Sequence, residues 1–429
     1  MTVELLVLVK HDCETCATLA PALDAAAAAG APVRILSQSD GEQTATWARR
    51  LGLAAVPEVD QELRTSERFD PEAVPAVLLL DGGDERDRVE GLQRDRLDEL
   101  FAAAGATLPH DGLPELRPGC ASRPRDPQEV VGTVAPYEGE ATVEKVAVNA
   151  VMAGCAGPEL PIVLAAVQAA CREEFALHGL VATTHPAGPL VIVSGPYAAE
   201  AGMNAAGNVL GQGNRANLTI GRALQLVVRN VGGGRPGVED RAAHGQAGKV
   251  GAAFAERLED SPFGGLAQDR GVPEGETGVT LLAAEAPRLV VDQLAREPDG
   301  LCASLAPALE SVAHPKQRLA WDVLVLLGPE HGRIFARAGW NRARVREELF
   351  RRTTAAARQV VRGAGGSPEG VEDRFVTDPE LPVAKFAGPE RILLAHAGGD
   401  AGLFSMVFGS WVAGEMGSTP VSVSVQPWR

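Results

Sequence analysis

The sequence predicts an α/β protein in three parts: a small N-terminal module over residues 1–105, a Pro/Gly-rich linker over 106–140, and a larger α/β domain over 141–429. A mostly parallel sheet is expected in the larger part, built as one body or as two lobes, 141–285 and 286–429. Three observations predict this. The β-favouring run Glu4-Leu5-Leu6-Val7-Leu8-Val9 passes directly into an Ala/Leu-rich segment of helical character. Prolines at 109, 114, 118, 124, 127 and 136 then break the chain, removing amide donors and fixing φ. Beyond them, short apolar runs alternate with helical patterns and turn residues.

Length and composition bound the function. A chain of 429 residues exceeds one ordinary core, and 45% apolar residues mark it as folded. A net charge of −16 repels a phosphate backbone, so nucleic acid is not an expected partner. Met1-Thr2-Val3-Glu4 lacks a basic start followed by an apolar stretch, and no apolar run reaches the roughly 18 residues of a membrane span. The expectation is a soluble cytoplasmic protein with no membrane partner, its oligomeric state left open. Six scattered cysteines do not make a disulfide scaffold, and in a reducing compartment they are free, catalytic or metal-bound.

Within the N-terminal module, residues 4–9 read as a strand buried on both faces. Cys13 to Ala29 reads as a helix, with Cys13 and Cys16 on its first turn. Unpaired amides and the positive end of the helix dipole there stabilise a thiolate, so the expectation is an exposed Cys13 of lowered pKa as nucleophile and Cys16 as resolving thiol. A strand (Val33 to Leu36), a helix (Gln43 to Leu51) and a strand (Val77 to Leu80) before the turn Asp81-Gly82-Gly83 follow. No second Cys or His pair at finger spacing lies nearby to complete a zinc site.

This order and the Cys-x-x-Cys motif resemble the thioredoxin superfamily. Val74-Pro75-Ala76 resembles the loop whose cis-proline faces the dithiol in that family, and Pro57 is a second candidate for that position. Arg86 to Gly91 and the amphipathic segment Arg94 to Ala103 resemble its last strand and helix. The resemblance implies a redox-active dithiol that needs no cofactor, and Pro75 beside the bound substrate. The pair between the cysteines is Glu14-Thr15 rather than Gly-Pro, and an adjacent carboxylate disfavours the thiolate. The remainder, from about residue 140, is similar to uncharacterised bacterial proteins that carry or accompany thioredoxin-like modules, some with selenocysteine at the dithiol position; that similarity assigns no substrate.

Cys120, inside the expected linker, reads either as an incidental thiol or as a relay that visits the dithiol. Val143 to Met152 reads as a strand, which places Cys155 between a strand end and a helix that starts near Pro158, where helix amides favour an anion; Cys155 reads either as a thiolate there or as an ordinary small buried residue. Cys171 and Cys302 read as core. From Thr183 to Lys249 the sequence is polar and Gly-rich: after a strand (Leu190 to Val193) come Asn204, Asn208, Asn214, Arg215 and Asn217, then a helix from Leu218 to Asn230. Gly allows close approach to a ligand, Asn both donates and accepts, and Arg forks onto carboxylate or phosphate. With Thr184 and Lys249 these are the expected substrate-binding residues. Gly232, Gly234 and Gly237 match the dinucleotide spacing without its strand and helix, and Gly248-Lys249 is not followed by Ser or Thr, so neither phosphate loop is assigned. His185 and His244 are candidate acid/base groups, and with Cys155 could form a thiolate-imidazole pair or hold a transition metal; no metal ligand is otherwise assigned. The C-terminal part alternates again: a strand from Asp322 to Leu327, helices from Gly332 and from Arg342 to Val361, a strand from Arg391 to Ala395, a stretch from His396 to Gly402 that reads as simple loop or else as a second anion-binding turn before a helix, and a strand from Pro420 to Val425.

The functional expectation is a thiol-dependent oxidoreductase. Cys13 and Cys16 pass electrons, or sulfur, to a small-molecule substrate held in the large domain, with a thiol reductant protein as partner. The alternative is a metal-dependent hydrolase or lyase using His185, His244 and Cys155, with the N-terminal module as a docking domain.

Overall fold

The structure, a computed structural model, describes residues 3–122, 126–360, 362, 377–414 and 417–429. Residues 123–125 of the expected linker and Val361, the expected end of a helix, lie outside the described residues. The chain divides into two compact units, Met1–Arg125 with Gln426–Arg429, and Asp126–Val425.

The first unit contains β1 (Val3–Val9), α1 (Glu14–Ala28), β2 (Val33–Ser37), α2 (Gly41–Leu51), β3 (Glu58–Val59), α3 (Arg64–Phe69), β4 (Ala73–Val74), β5 (Ala76–Asp81), β6 (Asp84–Glu90), β7 (Leu92–Gln93), α4 (Arg94–Ala103), β8 (Leu116–Arg117) and β9 (Cys120–Ala121). Its sheet runs β3-β2-β1-β5-β6, with β1 parallel to β2 and antiparallel to β5. Leu5 to Val9 are all buried because the central strand is covered on both faces. α4 places Leu97, Leu100 and Phe101 on the core at helical spacing. This is a thioredoxin-like fold. The expected linker is not loose: Leu108 and Leu113 lie in this core, and β8 and β9 pair with β7 and β4.

The second unit contains β10 (Val130–Val134), β11 (Gly139–Thr142), α5 (Val143–Ala153), α6 (Leu160–Ala170), α7 (Leu177–Ala182), β12 (Gly188–Ser194), α8 (Tyr197–Glu200), α9 (Arg215–Asn230), β13 (Ala252–Ala255), α10 (Leu266–Asp269), β14 (Gly278–Ala284), β15 (Arg288–Val291), α11 (Pro298–Glu310), β16 (Trp321–Leu327), α12 (Pro329–Arg337), α13 (Arg342–Arg352), β17 (Thr354–Ala356), β18 (Pro382–Ala384), β19 (Ile392–His396), β20 (Phe404–Val412) and β21 (Val421–Ser424). Its main sheet runs β13-β12-β14-β20-β16-β19. The sheet is mixed, not mostly parallel: β12/β13 and β16/β19 are parallel, while β14 and β20 pair antiparallel with their neighbours. Each of these parallel pairs is joined through a long helical crossover, which a parallel neighbour requires.

The two edges of this sheet meet at their ends, where the Arg257 amide donates to the His396 carbonyl at 2.8 Å. Alternate residues of all six strands, among them Leu190, Phe254, Leu282, Leu324, Leu393 and Phe408, share one interior cluster, so the sheet curls into a barrel-like body. The opposite face of β16 and β19 packs under α11, α12 and α13 through Val323, Val325, Leu301, Phe335 and Leu349.

The sheet is built from two halves of like topology. β12 is followed by Gly195-Pro196, then Ala201-Gly202, and by α9 capped at Asn214; β16 is followed by Gly328-Pro329, then Ala338-Gly339, and by α13 capped at Asn341. Both helices begin Asn-Arg-Ala. Each half then supplies a parallel neighbour, β13 or β19, and an antiparallel one, β14 or β20. The first half differs by residues 205–213, which have no counterpart in the second.

Three sequence expectations are corrected here. Residues 143–152 form helix α5, not a strand: the Thr142 hydroxyl accepts the Lys145 amide at its start, and Val143, Val146, Asn149 and Ala150 face the core three and four residues apart. The helix from Arg342 stops at Arg352, where Thr353 turns into β17. No helix follows the turn after His396; β20 begins at Phe404.

Candidate active site

Cys13 is the N-cap of α1, with extended φ/ψ, and its Sγ accepts the Cys16 amide at 3.2 Å. The two thiols therefore sit on one helical turn, as the spacing predicts. The Val74–Pro75 peptide bond is cis, whereas Pro57, the other candidate, is not in a cis bond. This loop brings the Val74 carbonyl to the Cys13 thiol, which donates to it at 3.3 Å.

Unlike the expectation, Cys13 is not exposed. It is 1% accessible, Cys16 is 0% and Cys120 is 9%. A strap formed by residues 116–122 covers the pair. Cys120 in β9 pairs with Val74 across an antiparallel ladder, which sets its thiol beside that of Cys13. The Thr15 hydroxyl donates to the Pro118 carbonyl at 2.5 Å, Gln38 Nε2 donates to Ser122 Oγ at 2.8 Å, and Gln426 Nε2 donates to the Gly119 carbonyl at 2.5 Å. Gly119 packs so closely on Val74 and Gly91 that a Cβ would lie 2.8 Å from the Val74 oxygen and 3.2 Å from Gly91 Cα.

Electrostatics follow from this cover. Burial pushes the Cys13 thiol up to about 12, against the smaller lowering effects of Cys120 and the Cys16 amide. Cys120 is raised as well, first by its hydrogen bond with Cys13 and then by burial, while Arg429 and Lys10 pull it down. The helix terminus is present, yet desolvation outweighs it, so the closed site holds thiols rather than thiolates.

The candidates in the second unit do not gather into one centre. Cys155 is half-buried beyond the C-terminal end of α5, not at a strand end, and burial raises its thiol to about 12; its neighbours are Thr219, Glu159 and Arg215. His185 stacks on Trp321 at 6.4 Å and approaches Glu285 at 3.3 Å. His244 is exposed, as is Thr184, whose carbonyl accepts the Ala243 amide. Among the described residues no group of three or more His, Cys, Asp or Glu is placed to hold a metal ion. Lys249 pairs with Asp240 at 2.9 Å.

The asparagines fold their own loop. Asn217 accepts the Asn204 amide and donates to the Asn204 and Val209 carbonyls. Asn204 donates to Gly207 and Asn214, Asn214 to Asn208 and Gly211, and Asn208 to Gln212. Arg215 pairs with the fully buried Glu159 at 2.6 Å rather than facing a ligand. The loop they shape nevertheless borders two cavities: one of about 280 Å³ between Gln246, Ala284, Asn217 and Leu210, and one of about 400 Å³ between Asn208, Gly211, Gly328, Gly399 and Phe404. Asn204, Asn214 and Arg215 line neither, so of the expected pocket residues only Asn208 and Asn217 touch these spaces.

Sequence reasoning missed a buried polar centre. Glu256 accepts from Ser194 Oγ at 2.5 Å and from the Leu266 amide at 2.6 Å, and burial raises its carboxyl. His396 lies beside it, Nδ1 on the Arg257 carbonyl at 2.9 Å, with its charged form disfavoured by burial. The signal available was the pairing of Ser194-Gly195-Pro196 with Leu327-Gly328-Pro329, which puts Glu256 and His396 at matching places after β13 and at the end of β19.

No protein-family profile and no curated protein matches the chain. Among solved structures it is similar to a secreted Mycobacterium tuberculosis disulfide oxidoreductase homologous to E. coli DsbE, at 19% identity over 24% of this chain and 81% of that one, with a TM-score of 0.21. It is similar also to StoA from Bacillus subtilis, at 15% identity over 23% and 81%, TM-score 0.21. A third is a putative thiol:disulfide interchange protein DsbE from Chlorobium tepidum, at 14% identity over 24% and 79%, TM-score 0.22.

Proposed function

We propose that this chain is a thiol-disulfide oxidoreductase whose reacting pair is Cys13 and Cys16. The observation that carries the reading is the placement of Cys13 Sγ as the N-cap of α1, on the Cys16 amide, with the Val74 carbonyl across from it. In the reaction, Cys13 as thiolate attacks one sulfur of a substrate disulfide and the other sulfur leaves as a thiol. Cys16 then attacks Cys13 Sγ, the mixed disulfide breaks, and the substrate carries away two electrons while the protein keeps a Cys13–Cys16 disulfide. A reducing thiol, from a protein partner or a small molecule, restores the pair. The dithiol itself needs no cofactor.

The second unit is the proposed holder of a small-molecule substrate, for which the cavity of about 400 Å³ beside Asn208 and the Gly398-Gly399 turn offers the space. Electron transfer is favoured over sulfur transfer because two thiols share one helical turn, the arrangement a two-electron exchange uses.

The test is a redox titration of the full chain in glutathione buffers, read by mass mapping of Cys13 and Cys16. A two-electron transition in the wild type that joins Cys13 to Cys16 and is lost in Cys13→Ser supports the reading. A chain whose Cys13 and Cys16 never join refutes it.

A further inference from the structure

We propose that Cys120 is a third redox thiol of this site, which resolves disulfides on Cys13 from β9 rather than from the helix that carries Cys16. The inference rests on the reading of Cys13 as the reacting thiol and extends it to a residue outside the Cys-x-x-Cys motif.

The geometry is specific. Val74 serves both thiols: its carbonyl accepts the Cys13 S–H at 3.3 Å, and its backbone is the ladder partner of Cys120. Cys13 is thus held between Cys16, one helical turn away on α1, and Cys120, presented by β9. The strap is fixed independently at three places by Thr15, Gln38 and Gln426, so Cys120 is positioned, not incidental.

The strap is an extended segment laid antiparallel along the residue before Pro75, with a cysteine at the point of contact. That is the form a disulfide-bearing peptide would take to reach Cys13. Cys120 therefore occupies the place of a substrate cysteine, and the chain carries its own exchange partner. In the exchange, Cys120 loses its proton and attacks Cys13 Sγ, the Cys13–Cys16 bond breaks, and Cys16 leaves as a thiolate that takes up a proton; no electrons are gained or lost. Starting from reduced thiols and a small disulfide, Cys13 forms a mixed disulfide and releases one thiol, and attack by Cys120 releases the second. Two electrons then pass to the small disulfide and a Cys13–Cys120 bond remains.

The experiment treats the full-length wild type, Cys16→Ser and Cys16→Ser/Cys120→Ser with oxidised glutathione under native conditions, traps thiols by alkylation and maps tryptic peptides without reduction. Cys16→Ala is run beside Cys16→Ser, and circular dichroism confirms that each variant is folded. The expected result is a Cys13–Cys16 bond in the wild type, a bond joining the Cys13 and Cys120 peptides in Cys16→Ser and Cys16→Ala, and Cys13–glutathione in the double variant. If the wild type forms Cys13–Cys16 but both single variants accumulate Cys13–glutathione with Cys120 free, the inference is overturned and the dithiol reading stands. If Cys13 takes no disulfide in any of these proteins, the dithiol reading fails and the inference falls with it.

Discussion

Gly119→Ala should unlock the dithiol without touching a sulfur. The new Cβ would lie 2.8 Å from the Val74 oxygen, 2.9 Å from Ala73 Cβ and 3.2 Å from Gly91 Cα, none of them the far end of a flexible side chain. Gly119 does not use positive φ, so the cost is steric and falls on the seating of the strap. Overpacking of this kind costs about 1–3 kcal/mol, which at about 1.4 kcal/mol per decade raises the open population about 5- to 150-fold. With opening faster than chemistry, the rate of Cys13 alkylation by iodoacetamide at pH 8 should rise by the same factor. Peptide mass mapping reads it, with Cys302, buried in the second unit, as the internal control. An unchanged Cys13 rate in a folded variant would refute the idea that the strap governs access; an equal rise at Cys302 would show global loosening instead.

Three further outcomes follow from the geometry. In the wild type, a Cys13 thiol near 12 leaves a thiolate fraction of about 10⁻⁴ at pH 8, so alkylation should be roughly 10³-fold slower than for a free peptide thiol and keep climbing with pH beyond 10; a plateau near pH 8 contradicts the burial argument. Glu256→Ala should cost about 2–4 kcal/mol in urea unfolding by orphaning the Leu266 amide and Ser194 hydroxyl, whereas Glu256→Gln should cost far less. Because the fold favours the protonated carboxyl, its contribution is full below about 4.5 and is lost as pH rises through the raised value, so the wild type should lose stability over that range and Glu256→Gln should not; parallel pH curves would contradict this. Asn217→Ala removes three hydrogen bonds from the 204–213 loop, about 2–3 kcal/mol, and limited proteolysis there should quicken by roughly 30- to 150-fold; equal rates would mean the loop is held elsewhere.

Local patterns carried the first unit. The run at residues 4–9, the Ala-rich helix behind Cys13 and the amphipathic α4 each declare themselves within one window, and the structure places α4 at the expected Arg94–Ala103. What could not be read was long-range. Cys120 meets Cys13 only because β9 returns to β4, and its own neighbours, Gly119 and Ala121, say nothing of that. α5 was misread because Val143, Val146, Val148 and Val151 are β-branched, while the deciding signals were a Thr cap before them and a Gly after them. The asparagine cluster was legible as a polar loop, but polarity alone does not tell a side chain that binds a ligand from one that binds its own backbone. The matched halves stayed hidden because residues 205–213 separate Asn204 from Asn214, whereas Asn341 runs straight into its helix.

Neither half of the second unit is complete alone. Taken singly, β12 to β14 or β16 to β20 would expose the sheet edges that the other half now covers, along β14 against β20 and at Arg257 against His396, and exposed edges seek a partner. The first half carries residues 205–213 and the Ser194/Glu256 pair, while the second has Leu327 and His396 at the matching places. The two cavities beside the asparagine loop are bordered by residues of the 205–213 segment, which only the first half carries, so the halves of this sheet are not equivalent as places to hold a ligand.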